Sequence, residues 1–318
     1  MKKLILMLLA CGLALSARAE PLTLRVGHFP NVTHVQALVA QALSRQGKGW
    51  FEQRLGPGVK IEWYSYNAGP SAMEGLLDGT VDLTYVGPSP ALNIYCRSGG
   101  REIRIVSGAA RGGSALVVQP DENLKTPADF RGKRIATPQL GNTQDVACRA
   151  WLTAGGLHIT QLGGDAQVIP TENPDQLTLF KLKKIDAAWT VEPWVSRLEM
   201  EAGGKVLVDD TASPVTVLAT GVKFLGEHKD IVEKFVAAHK ELTAWIQQHP
   251  GDAQKLVVEE LAAETHGKIP ADLIAHAWNR IVLTNDVTLA SLQSFVDSAK
   301  AAGFLRQTPD LSQILVHP

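Results

Sequence analysis

Cysteine is scarce in this chain, and so are the short signatures by which catalytic chemistry usually shows itself. Of three cysteines in 318 residues, Cys11 lies in an apolar leader, while Cys96 and Cys148 fall on predicted helices in different halves. That excludes a small disulfide-stapled scaffold and reads both as buried apolar residues rather than a pair. There is no G-x-x-x-x-G-K-S/T loop to cradle a nucleotide phosphate, no C-x-x-C and no H-E-x-x-H. His28 and His34 sit six apart, without the further His and carboxylate partners that zinc gathers. No metal and no cofactor is expected. No nucleophile elbow is present either. Positive charge is not in excess. With Lys2, Lys3 and Arg18 of the leader set aside, 28 basic and 32 acidic side chains leave a net charge of −4. Nucleic acid would find no basic face.

Long apolar runs are confined to the start. Lys2 and Lys3 precede "LILMLLACGLAL", and Ala17-Arg18-Ala19 supplies an A-x-A cleavage site. This is a secretory signal over residues 1–19, and the mature chain is expected to begin at Glu20. A rival reading takes Leu8-Leu9-Ala10-Cys11 as a lipobox, which would leave only seven apolar residues, Leu4 to Ala10. No other stretch is suited to crossing a membrane. What remains, 45% hydrophobic and 20% charged over the full chain, is globular in composition and long enough for two lobes.

The body of the chain repeats itself. In "NAGPSAMEGLLDGTVDLTYVGPSP" and "TENPDQLTLFKLKKIDAAWTVEPW", Pro70 precedes Asp82 by twelve positions and Pro174 precedes Asp186 by twelve. Tyr85 follows the first Asp by three, as Trp189 follows the second. Upstream, "LRVGHFPNVTHVQALVAQAL" and "KRIATPQLGNTQDVACRAWL" each read as strand, polar loop and amphipathic helix. Val35, Leu38, Val39, Ala42 and Leu43 keep the spacing of one buried helix face. Both copies therefore predict β-loop-α-β-loop-α-β, hence a parallel sheet apiece with helices on its faces.

Ligands of such sheets bind at the carboxyl ends of the strands, where helix N-termini also point. Unpaired N–H groups and the positive end of the helix dipole suit an anion there. Six loops fall at that edge, and the expected contacts to a charged head are Asn31, Thr33, Ser71, Ser89, Asn142 and Thr143. Ser71 and Glu74 have the spacing of a capping box, and Thr143 opens its helix, so both also read as caps. Tyr85, Trp189 and Trp194 are expected to wall an organic tail, with core packing the alternative. Glu192 would repel an anion unless the ligand also carries an amine, or unless Glu192 faces the hinge.

Three stretches, "AGPSAMEGLLDGTVDLTYVGPSPALNIY", "DFRGKRIATPQLGNTQDVACRAWLTAGGL" and "IDAAWTVEPWVSRLEMEAGGKVLVDD", resemble the solute-binding proteins of sulfonate, nitrate and taurine ABC importers. The resemblance covers nearly the whole mature chain. It implies an α/β, type II periplasmic-binding fold with two lobes, central mixed or parallel sheets and a hinge of two crossings. The lobes are expected over 20–111 with 216–318, and over 112–215, crossing near Arg111–Ser114 and Ser213–Thr216. It further implies a periplasmic monomer that closes on a small organic anion, foremost an aliphatic sulfonate, for a membrane permease driven by a separate ATPase. Leu140-Gly141-Asn142-Thr143 replaces the Lys-Gly-Ser-Ser of sulfonate binders, and Val191-Glu192-Pro193-Trp194 replaces their Trp-Asp-Pro. Nitrate, bicarbonate or another oxyanion is therefore an alternative. A pyrimidine-precursor enzyme shares the fold but needs a CCCFC motif absent here. A LysR-type sensor would need a helix-turn-helix.

Overall fold

The computed structural model describes residues 21–307 and 310–317; the leader and its cleavage site lie outside the described residues. The strands are β1 (Leu22–His28), β2 (Val59–Ser65), β3 (Leu83–Val86), β4 (Ile103–Gly112), β5 (Ser114–Val118), β6 (Arg134–Thr137), β7 (Ile159–Thr160), β8 (Gly163–Gly164), β9 (Gln167–Pro170), β10 (Ala187–Val191), β11 (Lys205–Asp210), β12 (Pro214–Gly221) and β13 (Ile281–Leu283). The helices are α1 (Val35–Arg45), α2 (Trp50–Leu55), α3 (Gly69–Leu77), α4 (Pro88–Arg97), α5 (Thr143–Ala154), α6 (Asn173–Lys181), α7 (Trp194–Ala202), α8 (Val222–Glu227), α9 (Lys229–Gln248), α10 (Pro250–Thr265), α11 (Ala271–Trp278) and α12 (Leu289–Ala301).

The repeat read from the sequence is a repeat of folding. Parallel strands β3, β1 and β2 lie side by side in one sheet, and β10, β6 and β9 lie likewise in the other. An antiparallel strand flanks each triplet, β12 beside β3 and β5 beside β10. The full orders are β13-β4-β12-β3-β1-β2 and β11-β5-β10-β6-β9, two mixed sheets with helices packed on them. The paired aspartates have one job. Asp82 accepts from the Arg25 N–H at 2.8 Å and returns its own N–H to Arg25 O at 2.8 Å. Asp186 does the same with Arg134, at 2.7 and 2.9 Å. Each locks the start of the third strand of its copy to the first.

Strand alternation sorts side chains between two helical layers on each sheet. In the first sheet Leu83, Tyr85 and Leu218 enter the core under α1, α9 and α10, while Val86, Val217 and Ala219 enter the one under α3, α4 and α12. In the second, Leu116, Ala187 and Trp189 meet Cys148 and Leu152 of α5, whereas Ala115, Val117 and Ala188 meet Phe180 and Leu198. Both helix-borne cysteines are free.

The chain passes from the first sheet to the second between Gly112 and Ser114, and returns between Asp210 and Pro214. Gly112 and Gly113 both have left-handed φ, +74° and +73°, a conformation costly for any residue with a Cβ. Space forbids one as well. A Cβ on Gly113 would stand 2.7 Å from Ile281 Cγ2.

Candidate functional site

Carboxyl ends of the parallel strands from both sheets converge on one cavity. Its lining includes Phe29, Asn31 and Thr33 after β1, Asn67, Ala68 and Gly69 after β2, and Gly87 after β3. Opposite stand Pro138, Asn142, Thr143 and Gln144 after β6, Asn173 after β9, and Val191 at the end of β10. The cavity measures about 20 Å³, room for a single water. No residue of this lining carries a charge.

The second rim is fixed from beneath. Asn142 is the cap of α5, its Oδ1 accepting from the Asp145 N–H at 2.8 Å. Thr143 is thus the first residue inside the helix rather than its cap, and its hydroxyl is released from that duty. Asp145 is fully buried and saturated: it accepts from the Thr137 hydroxyl at 2.8 Å, the Gly141 N–H at 2.9 Å and Arg149 Nε at 3.0 Å. Arg149, also buried, donates onward to the carbonyls of Thr160 and Val168 at 2.6 and 3.1 Å. A closed ion pair therefore holds the 138–142 loop in place. Its i, i+4 spacing on an otherwise apolar face was the signal that could have revealed it.

The first rim rests on neutral groups. His34 packs at a tilt against Phe29 with ring centroids 4.3 Å apart, and burial holds its pKa well below the usual histidine range. It faces the Phe29 N–H through Nδ1 at 3.4 Å. His28 lies apart, its Nε2 2.6 Å from Glu264. Among the described residues no cluster of three or more His, Cys, Asp or Glu is placed to hold a metal ion.

The rims already touch. Thr143 Oγ1 lies 3.4 Å from the Ser89 N–H, and a Cβ placed on Gly87 would run into it. The Val32 N–H donates to Glu192 O at 3.0 Å, and Trp194 Nε1 donates to Asn31 Oδ1 at 3.0 Å.

This last bond exposes a rule that runs round the cavity. An indole N–H only donates, so the Asn31 amide must turn its oxygen outward, leaving its NH₂ for the cavity. Asn142 likewise gives its oxygen to a backbone N–H, with its NH₂ 3.2 Å from Gln144 Oε1. Asn173 takes the Thr190 hydroxyl on Oδ1 at 2.9 Å. Three amides thus have their acceptors occupied; Asn31 and Asn173 keep their donors, and Asn142 keeps the one not given to Gln144. The N-cap of α3, Ala68, provides no side-chain cap, so the Gly69 N–H at the lining adds a donor, whereas in α4 Pro88 and Pro90 have no N–H and that of Ser89 faces Thr143 Oγ1.

Of the ten residues expected from sequence, Asn31, Thr33, Asn142 and Thr143 meet in this lining. Ser89 adjoins it through its N–H, its buried hydroxyl having no hydrogen-bond partner. Trp194 lines a neighbouring cavity. The other four lie elsewhere. Ser71 sits within the first turn of α3, which begins at Gly69, and donates to Ala68 O at 2.9 Å; the capping box with Glu74 is not formed, because Ala68 is the cap. Tyr85 is fully buried with its hydroxyl 3.0 Å from His239 Nδ1, and Trp189 donates to Ser114 Oγ at 3.3 Å within the α5 core. Glu192 faces the crossing: Arg280 Nη1 is 3.1 Å from its Oε1, and the Ser196 N–H donates to Oε2 at 3.1 Å. Asn67, Gln144 and Asn173 belong to loops expected at the cleft but are not among the ten contacts expected from sequence. The first and last stand at the ends of β2 and β9 in the repeat, where strand-end logic applied equally.

The chain belongs to the NMT1-like family, matched over residues 17–261. It is 26% identical over 230 residues to a protein of Bacillus subtilis (strain 168) named for binding aliphatic sulfonates, covering 70% of this chain and 67% of that one. It is 25% identical over 227 residues to the taurine-binding periplasmic protein of Escherichia coli (strain K12), covering 67% of each. The alkanesulfonate-binding protein SsuA of Xanthomonas axonopodis pv. citri, solved bound to MOPS, shares the fold. That match has a TM-score of 0.75 at 20% identity, over 94% of this chain and 100% of that one.

Proposed function

We propose that this chain is the solute-binding component of an ABC importer, closing two lobes on a small organic anion and presenting the closed form to a membrane permease with a separate ATPase. Each sheet is the centre of one lobe, 20–111 with 216–318 and 112–215, and the hinge lies at the two passages between sheets. The observation that carries the reading is the set of amide donors turned toward the cavity. Asn31, Asn142 and Asn173 keep NH₂ groups whose oxygens are occupied, beside helix N-termini and with no charged side chain in the lining. Such a surface solvates an acceptor-only oxyanion and penalises a cation or a donor-rich head. It holds the charge without a counter-ion, so release needs only the rims to part. A sulfonate head exceeds one water in size, so binding sets the gap between Thr143 and Gly87. The lining is amide, hydroxyl and carbon, and it offers no acid–base pair to turn a ligand over.

The protein acts as an exported monomer in the periplasm, cleaved after Ala19. A thermal-shift screen across alkanesulfonates, taurine, nitrate, bicarbonate and carboxylates tests the reading, because a ligand of the folded state raises the melting temperature. The expected result is stabilisation by sulfonates above the rest. Stabilisation by none of these anions would reject it.

A further inference from the structure

Beside the inner cavity lies a second, of about 420 Å³. Asn31, Asn67 and Asn173 belong to the walls of both. The disparity in volume separates ligand classes. A space of that size accommodates an organic body, whereas nitrate or bicarbonate seated in the inner cavity reaches no part of it. Pro30, Pro193, Trp194 and Ile269 supply apolar wall, and the charged groups are Glu172, Arg197 and Lys268. Glu172 and Lys268 are exposed.

Arg197 stands apart from them. Its guanidinium lies over the Trp194 ring, 4.9 Å from the centroid, and its Nε is buried with no hydrogen-bond partner. The carboxylate paired with it, Glu201, is 3.9 Å away, beyond hydrogen-bonding reach. An arginine about a fifth exposed on a cavity wall, its Nη groups without a hydrogen bond among the described residues and an aromatic plate beneath it, is placed to take an acceptor.

Resting on the oxyanion reading above, we infer that the ligand is a bifunctional organic acid. Its oxyanion sits among the asparagines, its ring-sized body lies against Trp194, and a second oxygen acceptor at the far end bonds Arg197. Lys268 adds to the positive field there, and Glu172 offsets part of it. A sulfonate ending in an ammonium group meets two cations at that end and is disfavoured.

Calorimetric titration with ethanesulfonate, taurine, benzenesulfonate and 4-sulfobenzoate tests this. Wild type is expected to bind 4-sulfobenzoate about tenfold or more tighter than benzenesulfonate, as a hydrogen bond between charged groups implies, and taurine more weakly than ethanesulfonate. In Arg197→Gln the preference for 4-sulfobenzoate over benzenesulfonate should shrink to about threefold or less. Because that preference is a ratio within one protein, a general loss of folded material cancels from it, and the wild-type ratio needs no variant at all. Equal affinity for the two aromatic acids in wild type, or an unchanged ratio in Arg197→Gln, overturns the inference while leaving the oxyanion reading intact if ethanesulfonate binds. Binding of none of the four overturns both.

Discussion

The two rims of the inner cavity follow one strand plan and are braced by opposite electrostatics. Beneath Asn142 and Thr143 lies a buried ion pair, Asp145 with Arg149, whose hydrogen bonds are all directed at the loop and its neighbours. Beneath Asn31 and Thr33 lie neutral buried histidines: His34 under Phe29, and His239 between the Tyr85 hydroxyl and Gly108 O, at 3.0 and 2.9 Å. The lesson is that the repeat conserves where a rim stands, while the means of holding it differ. One rim is set by charge that cannot be left unpaired. The other depends on staying uncharged.

The comparison breaks most severely at the ion pair. Asp145→Ala leaves Arg149 buried without its partner, and about 3–5 kcal/mol of stability should be lost. Chemical denaturation of the variant measures it, and a loss under 1 kcal/mol would mean the pair does not brace the rim. Acid attacks the other rim. Burial pushes His239 down to about 4, from 6.5, so the folded state resists a proton that the unfolded chain accepts. Its contribution, about 3 kcal/mol, is present in full above pH 6.5 and is lost as pH falls towards 4. His34 shifts in the same direction. Denaturation midpoints taken between pH 7 and pH 4 should fall in wild type and fall less steeply in His239→Gln.

Smaller effects sharpen the picture at the rim surface. Since Asn142 is the cap, Thr143→Ala should change stability by under about 1 kcal/mol yet weaken oxyanion binding about tenfold or more, the worth of a hydrogen bond to a charged group. Equal affinity in calorimetry would return Thr143 to a packing role. Ser71→Ala should do least. Its hydroxyl bonds Ala68 O within its own helix turn, so stability should move by about 0.5 kcal/mol and affinity hardly at all. A tenfold loss of affinity would put Ser71 back in the site.

Much of this was readable in the sequence, for identifiable reasons. The β-loop-α units were legible because strand and helix periodicities recur at matched offsets, and Asp82 and Asp186 mark the same structural joint. The rim loops followed, since strand ends and helix starts must meet there. What was not legible was the direction of individual side chains. Tyr85 and Trp189 occupy equivalent strand positions, and alternation sends both into cores rather than into the cavity. Glu192 alone would repel an anion, but its charge is met by Arg280, 88 residues further along the chain. The return passage is expected near Ser213–Thr216, whereas β12 already begins at Pro214. Nor does sequence tell which end of an amide faces a cavity; that depends on Trp194 and Thr190 reaching across from other segments.

That orientation is the central claim, and one substitution addresses it directly. Asn31→Asp preserves the oxygen that accepts from Trp194 Nε1 and exchanges the NH₂ facing the cavity for a second oxygen with negative charge. Two like charges about 4 Å apart at an effective dielectric near 20 repel by about 4 kcal/mol. Calorimetric titration of Asn31→Asp at pH 7.5, with the anion that most stabilises wild type, should therefore show affinity reduced roughly a thousandfold in a protein that remains folded by circular dichroism. Affinity within threefold of wild type would show that the Asn31 amide does not present its donor to the ligand, and the account of the cavity would be wrong.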